Sequence, residues 1–142
     1  MLLAGVAGGL APDLDMLWFH LVDGGRVHHH RYFTHWPLVW LGLTLVALLW
    51  RRLRPQCRQA QAGVLFCAAA CVHLLLDSYV GDLWWLMPFV DRPFALFTVP
   101  ARFQPWWLSF VLHWSFALEL LIWGWAYGWY RRPLVDGNRL PY

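Results

Sequence analysis

The sequence predicts an all-α membrane protein, a multi-pass bundle of about four transmembrane helices with one proline-broken interfacial segment. Three observations predict it. Of 142 residues, 60% are hydrophobic and 13% are charged, about half of the roughly 25% charge a soluble domain carries. The aromatic residues include 12 Trp, 9 Phe and 5 Tyr, the types that gather in belts at membrane interfaces. The apolar residues also fall into four long runs instead of alternating with polar ones. This composition excludes a disordered chain, a secreted disulfide scaffold and an ordinary cytosolic enzyme, and the length allows a single domain over 1–142.

The first run, Met1 to Ala11, has no charge and ends at Pro12. At about 1.5 Å per residue it covers about half of a ~30 Å hydrocarbon core. It lacks a basic n-region and an A-x-A site, which argues against a signal peptide. A start further upstream or a short half-buried helix is expected instead. The second run, about Phe33 to Trp50, and the third, about Ala60 to Leu76, are on the short side, with flanking Trp and Arg placed to complete them at the interface. Leu83 to Pro100 is apolar but broken by Pro88, Pro93 and Pro100, so it cannot span. It reads as an interfacial or re-entrant piece with Trp84, Trp85, Phe89 and Phe94 at headgroup depth. The fourth run, Pro105 to Tyr130, is long enough to span outright.

Charge sets the orientation. All basic residues are Arg, and the formal net charge is +3. In a chain this apolar the excess is a topology signal, and the solvated basic face needed for a nucleic-acid partner is missing. Arg51, Arg52, Arg54 and Arg58 fill the connection between the second and third runs, and Arg131, Arg132 and Arg139 follow the fourth. The positive-inside rule places these cytoplasmic, with both termini. Asp13, Asp15, Asp23, Asp82 and Asp91 then face the other side. Cys57, Cys67 and Cys71 contain no C-x-x-C pair and read as small hydrophobes.

Three clusters on that non-cytoplasmic side carry chemistry: Pro12-Asp13-Leu14-Asp15, His30-Arg31-Tyr32-Phe33-Thr34-His35, and His73 through Asp77. Ionisable groups at membrane depth persist where they pair, line a polar cavity or bind an ion. His73 and Asp77 stand at i and i+4, on one helix face. Asp13 and Asp15 flank one residue at a proline-set helix end. Each cluster has a plainer reading: Asp13 as a helix cap, His73 with Asp77 as a structural hydrogen bond, His30 or His35 as an interfacial histidine. Convergence of three His/Asp clusters at one face favours a shared metal site with Asp13, Asp15, His30, His35, His73 and Asp77 as ligand candidates. Nitrogen and oxygen donors suit a divalent ion such as Zn or Mn, with Fe or Co also compatible. Six candidates exceed one tetrahedral ion, so either two ions bind or some residues lie behind the ligands. Arg31 offers a bidentate anion clamp, or else snorkels to headgroups.

Other polar residues are assigned lesser roles. His28 and His29 are expected in a solvated loop and His20 at the interface. His113 is expected to bond Ser109 one turn away. Glu119 should be protonated or paired if it lies in lipid.

The order P-D-x-D, H-R-x-x-T-H, H-x-x-x-D resembles that of the YdjM-like family of bacterial inner-membrane proteins, described as metal-dependent hydrolases. The resemblance covers about residues 5 to 90. Family members commonly carry a histidine in a longer first helix and a polar residue after the second Asp; this chain has no such histidine, and Met16 follows Asp15. The resemblance implies an inner-membrane hydrolase. The expected chemistry is metal-assisted hydrolysis of a lipid-like ester or phosphoester, with Asp13 or Asp15 as base and Arg31 steadying negative charge. Membrane lipids are the expected partners, and no nucleic acid. The competing classes are a metal-binding transporter and a non-catalytic structural membrane protein.

Overall fold

A computed structural model describes residues 1–97, 99–100, 102–105 and 107–132. Its first helix, α1 (Leu2–Leu10), is uncharged and stops where Pro12 enters. The chain turns there. Proline is well suited to the first position of a helical turn, and Pro12–Leu14 forms a 3-10 turn that leads into α2 (Asp15–Leu21). The two helical pieces meet at a 50° bend, which puts Asp13 and Asp15 at the break. Gly24 and Gly25, both at positive φ, turn the chain after α2. Two further 3-10 turns, His29–Arg31 and Phe33–His35, present the histidines.

Trp36 is extended and Pro37 opens α3 (Pro37–Leu53), which ends just before Pro55. A short connection leads to α4 (Arg58–Val80), the longest helix. It packs against both α3 and α1. The approach of α1 is unusually close: a Cβ on Gly8 would lie 2.0 Å from the Phe66 carbonyl oxygen, so only glycine fits this crossing. Ala11, Trp40, Ala70, Leu74 and Leu83 form the buried core.

After α4 the chain folds back on that helix's end. Leu83 and Phe94 exchange backbone hydrogen bonds, and the Leu96 and Phe97 amides donate to the Ser78 and Tyr79 carbonyls. The segment has no helix among the described residues, as its prolines predict. Its tryptophans, however, do not all lie at a surface. Trp84 is buried, with Nε1 donating to Asp91 at 2.7 Å, and Trp85 packs on the core while donating to Ser78 Oγ at 2.9 Å. Buried indole N–H groups need partners, and Ser78 and Asp91 supply them; Phe89 and Phe94 remain exposed.

The chain divides into two compact units, Met1–Thr98 and Val99–Tyr142. In the second, the fourth apolar run is not one spanning helix. It forms α5 (Trp107–Val111) and α6 (Trp114–Tyr130). The break has a local cause: His113 is extended and caps α6, its Nδ1 accepting from the Ser115 amide and bonding Ser115 Oγ at 2.9 Å. The expected His113–Ser109 bond is therefore absent; Ser109 Oγ accepts from the amides of Arg102 and Phe103 instead. Glu119 is exposed.

Among the described residues, α4 alone is long and apolar enough by length and composition to cross a membrane, and the bent pair 2–10 and 12–21 passes the same test when taken together. α3 and α6 have 17 residues each, about 26 Å at 1.5 Å per residue. Four separate full-length spans are thus not what the described helices provide. The apolar surface is nonetheless extensive: Leu2, Leu3, Leu45, Leu53 and Trp123 are each more than two-thirds exposed, an arrangement soluble monomers avoid.

Candidate metal centre

Three elements of the first unit deliver the His and Asp side chains. The bend after α1 supplies Asp13 and Asp15, the two 3-10 turns supply His30 and His35, and the last turns of α4 supply His73 and Asp77. All six candidates come together.

Their arrangement separates two roles. Asp15 sits behind the centre: its Oδ2 takes the His35 Nδ1 at 2.5 Å and the Thr34 hydroxyl at 2.7 Å. This fixes the His35 ring and turns Nε2 inward, the carboxylate–histidine arrangement common behind metal ligands. His30 is fixed in the same way, its Nδ1 donating to the Asp82 carbonyl at 2.8 Å. The remaining donors face one another. His73 Nε2 lies 3.0 Å from Asp77 Oδ2 and 3.6 Å from Asp13 Oδ1. His35 Nε2 lies 3.6 Å from Asp77 Oδ2 and 3.7 Å from Asp13 Oδ1, and His30 Nε2 lies 3.9 Å from Asp77 Oδ2.

A divalent ion fits these residues. His35 Nε2, His73 Nε2 and Asp77 Oδ2 are buried and have no hydrogen-bond partner, a costly state unless something else engages them. Bonds of ~2.1 Å place donors about 3.4 Å apart around a tetrahedral ion and about 3.0 Å apart around an octahedral one. The observed separations run from 3.0 Å, the octahedral value, to 3.9 Å, a few tenths of an ångström beyond the tetrahedral one. The donor set, imidazole nitrogen with carboxylate oxygen, suits Zn or Mn.

Electrostatics divides the histidines. Burial, helped by the adjacent His29 and His35 rings, holds His30 down to about 3, so it is a neutral imidazole with a lone pair to offer. Burial also acts to lower His35, but the Asp15 and Asp77 carboxylates outweigh it and lift His35 to about 9. The surrounding carboxylates thus favour the protonated form of His35.

Arg31 is not among the converging groups. Its guanidinium pairs with Asp91 at 2.6 Å and lies over the Trp84 ring, 5.5 Å from the centroid. It thereby ties the histidine turns to the segment after α4. Two residues escape the sequence reading. Thr34 anchors Asp15. His29, assigned to a solvated loop, is half-buried, and a ring nitrogen of it lies within 4.8 Å of donor nitrogens on His30 and His35. The run of three histidines was the available signal.

Comparison with curated proteins and with solved structures finds no match. A profile of the YdjM inner membrane protein family matches residues 1–134, which takes in every candidate donor, and the chain belongs to that family of inner membrane proteins.

Proposed function

We propose that this protein is a membrane-bound, metal-dependent hydrolase acting on an amphiphilic ester or phosphoester at the membrane surface. One observation carries the reading: three inward-facing donor atoms, on His35, His73 and Asp77, are buried without partners around a common space. A divalent ion held there, Zn or Mn, supplies a water of lowered pKa and polarises the bond under attack. The ligands are Asp13, His30, His35, His73 and Asp77, and Asp15 keeps the His35 ring oriented. Asp13 is the most exposed of the carboxylates in the cluster, its side chain 47% accessible, so its second oxygen is best placed to take a proton from water. Arg31 has one nitrogen on Asp91 and a side chain 42% exposed, which leaves donors for a developing anion.

A lipid-like substrate is supported by an apolar groove of about 500 Å³ along α4, lined by Gly9, Leu65, Val72 and Leu76 and bordered by His73. An acyl or alkyl chain lying there brings its head to the donors. The topology proposed is multi-pass with both termini cytoplasmic. It is supported by the α3–α4 hairpin, whose arginine-rich turn lies at the far end of α4 from His73, about 22 Å along the helix at 1.5 Å per residue.

Elemental analysis of detergent-purified protein tests the reading. The wild type should carry Zn or Mn, and His73→Ala should not. Metal-free wild type after exposure to both ions would refute a metal centre. Metal-loaded wild type that moves ions across liposomes and hydrolyses nothing would assign the donors to transport.

A further inference from the structure

The number of ions follows from counting donors, and the count rests on the metal-centre reading above. Asp15 is withdrawn: its Oδ2 is occupied by His35 and Thr34, and its Oδ1, although buried without a partner, belongs to neither group of converging donors. His29 is added. Its ring centroid is 4.1 Å from that of His30 and 5.6 Å from that of His35. No hydrogen bond occupies its ring nitrogens among the described residues. The inward set is then Asp13, His29, His30, His35, His73 and Asp77.

Six donors are too many for one hydrolytic ion. An octahedral ion would be saturated, and a tetrahedral one would leave donors unused; hydrolysis requires an open position for water. The donors also fall into two groups, Asp13–His35–His73 and His29–His30–His35. His35 cannot serve both, because its Nδ1 is committed to Asp15 and Nε2 has a single lone pair. Asp77 can. Its Oδ2 is 3.0 Å from His73 Nε2 on one side and 3.9 Å from His30 Nε2 on the other, and a carboxylate can bridge two cations. His30 is free to point Nε2 at that side because its Nδ1 is held by the Asp82 carbonyl.

We infer that the centre takes two divalent cations, one on Asp13, His35 and His73 and the other on His29 and His30, with the Asp77 carboxylate between them. Each ion then keeps open positions, and a substrate phosphate or carboxylate can contact both. His29 becomes a ligand of the second cation.

Manganese is a suitable probe, since paired Mn(II) ions couple magnetically. The full chain, purified in detergent, is loaded with MnCl2, desalted, and measured for manganese per chain and by electron paramagnetic resonance. The expected result is two ions per chain with an exchange-coupled spectrum. His29→Ala, and His29→Gln in case the smaller side chain disturbs the turn, should each fall to one ion per chain with an uncoupled six-line signal. One ion and a six-line signal in wild type would overturn the inference while leaving the metal centre standing. Two coupled ions in both His29 variants would also overturn it. Absence of bound manganese in wild type, with no zinc bound either, would remove the metal-centre reading along with it.

Discussion

The two ends of the α3–α4 hairpin use the same pair of helices and treat charge in opposite ways. At the turn, Arg51, Arg52, Arg54 and Arg58 are exposed, and no described carboxylate pairs with them. At the other end, His35 is fully buried, His73 and Asp77 are largely buried, and their inward atoms lack hydrogen-bond partners. Exposed cations cost the fold little and report orientation. Buried unpartnered donors are costly, and the proposed ion would engage them together. Charge count alone does not separate these ends; burial and partnership do.

Substitutions should affect the two ends differently. The largest effect is expected from His73→Ala or Asp77→Asn, which should abolish bound metal and activity together, as elemental analysis on the assayed samples would show. Arg31→Ala should keep the metal and lower turnover by on the order of 10²–10³, the usual loss when one charge-stabilising donor is removed. Arg31→Lys should recover part of it, since an ammonium cannot form the bidentate fork. Loss of metal in Arg31→Ala would instead assign this residue to holding the turns through Asp91.

Gly81→Ala should weaken metal affinity by about 10–100-fold, the range seen when groups behind a ligand are disturbed. A Cβ there would meet His30 Cε1 at 2.8 Å and the Asp77 carbonyl at 3.2 Å, and the Asp82 carbonyl prevents an easy swing of the ring. Titration calorimetry with Zn would measure it. Acidity should act through His35. Its raised value, about 9, means the metal-free protein gains stability that is full below the ordinary histidine value and lost as pH rises through about 9. Binding an ion displaces that proton, so affinity should fall up to about tenfold per pH unit below 9. At the turn, Arg51→Gln and Arg52→Gln should leave metal content unchanged and shift stability by no more than about 0.5 kcal/mol, read by thermal unfolding in detergent.

Much of the site was legible because its signals are local. The i, i+4 spacing of His73 and Asp77 and the Pro12 turn each fix neighbouring donors without long-range information. The fold was less legible where a polar residue hides in an apolar run. His113 caps α6 through Ser115 and breaks a stretch whose hydropathy reads as one span. Pro12 ends α1 yet starts another helical turn, in keeping with the reading of Asp13 at the start of a following helix, although no side-chain cap bond forms there. The engagement of Arg31 by Asp91, 60 residues away, has no local signature at all. Nor does the placing of Asp15 behind His35, because first and second positions around an ion differ only in three dimensions.

Product release from mixed phospholipid or acyl-ester micelles, followed through chelation and metal re-addition with metal content measured on each sample, decides whether a bound ion drives hydrolysis at this centre. Hydrolysis should disappear with the metal, return when Zn or Mn is restored, and never appear in His73→Ala. Hydrolysis that persists in the stripped protein, or fully metal-loaded wild type that releases no product from a broad substrate panel, would contradict it.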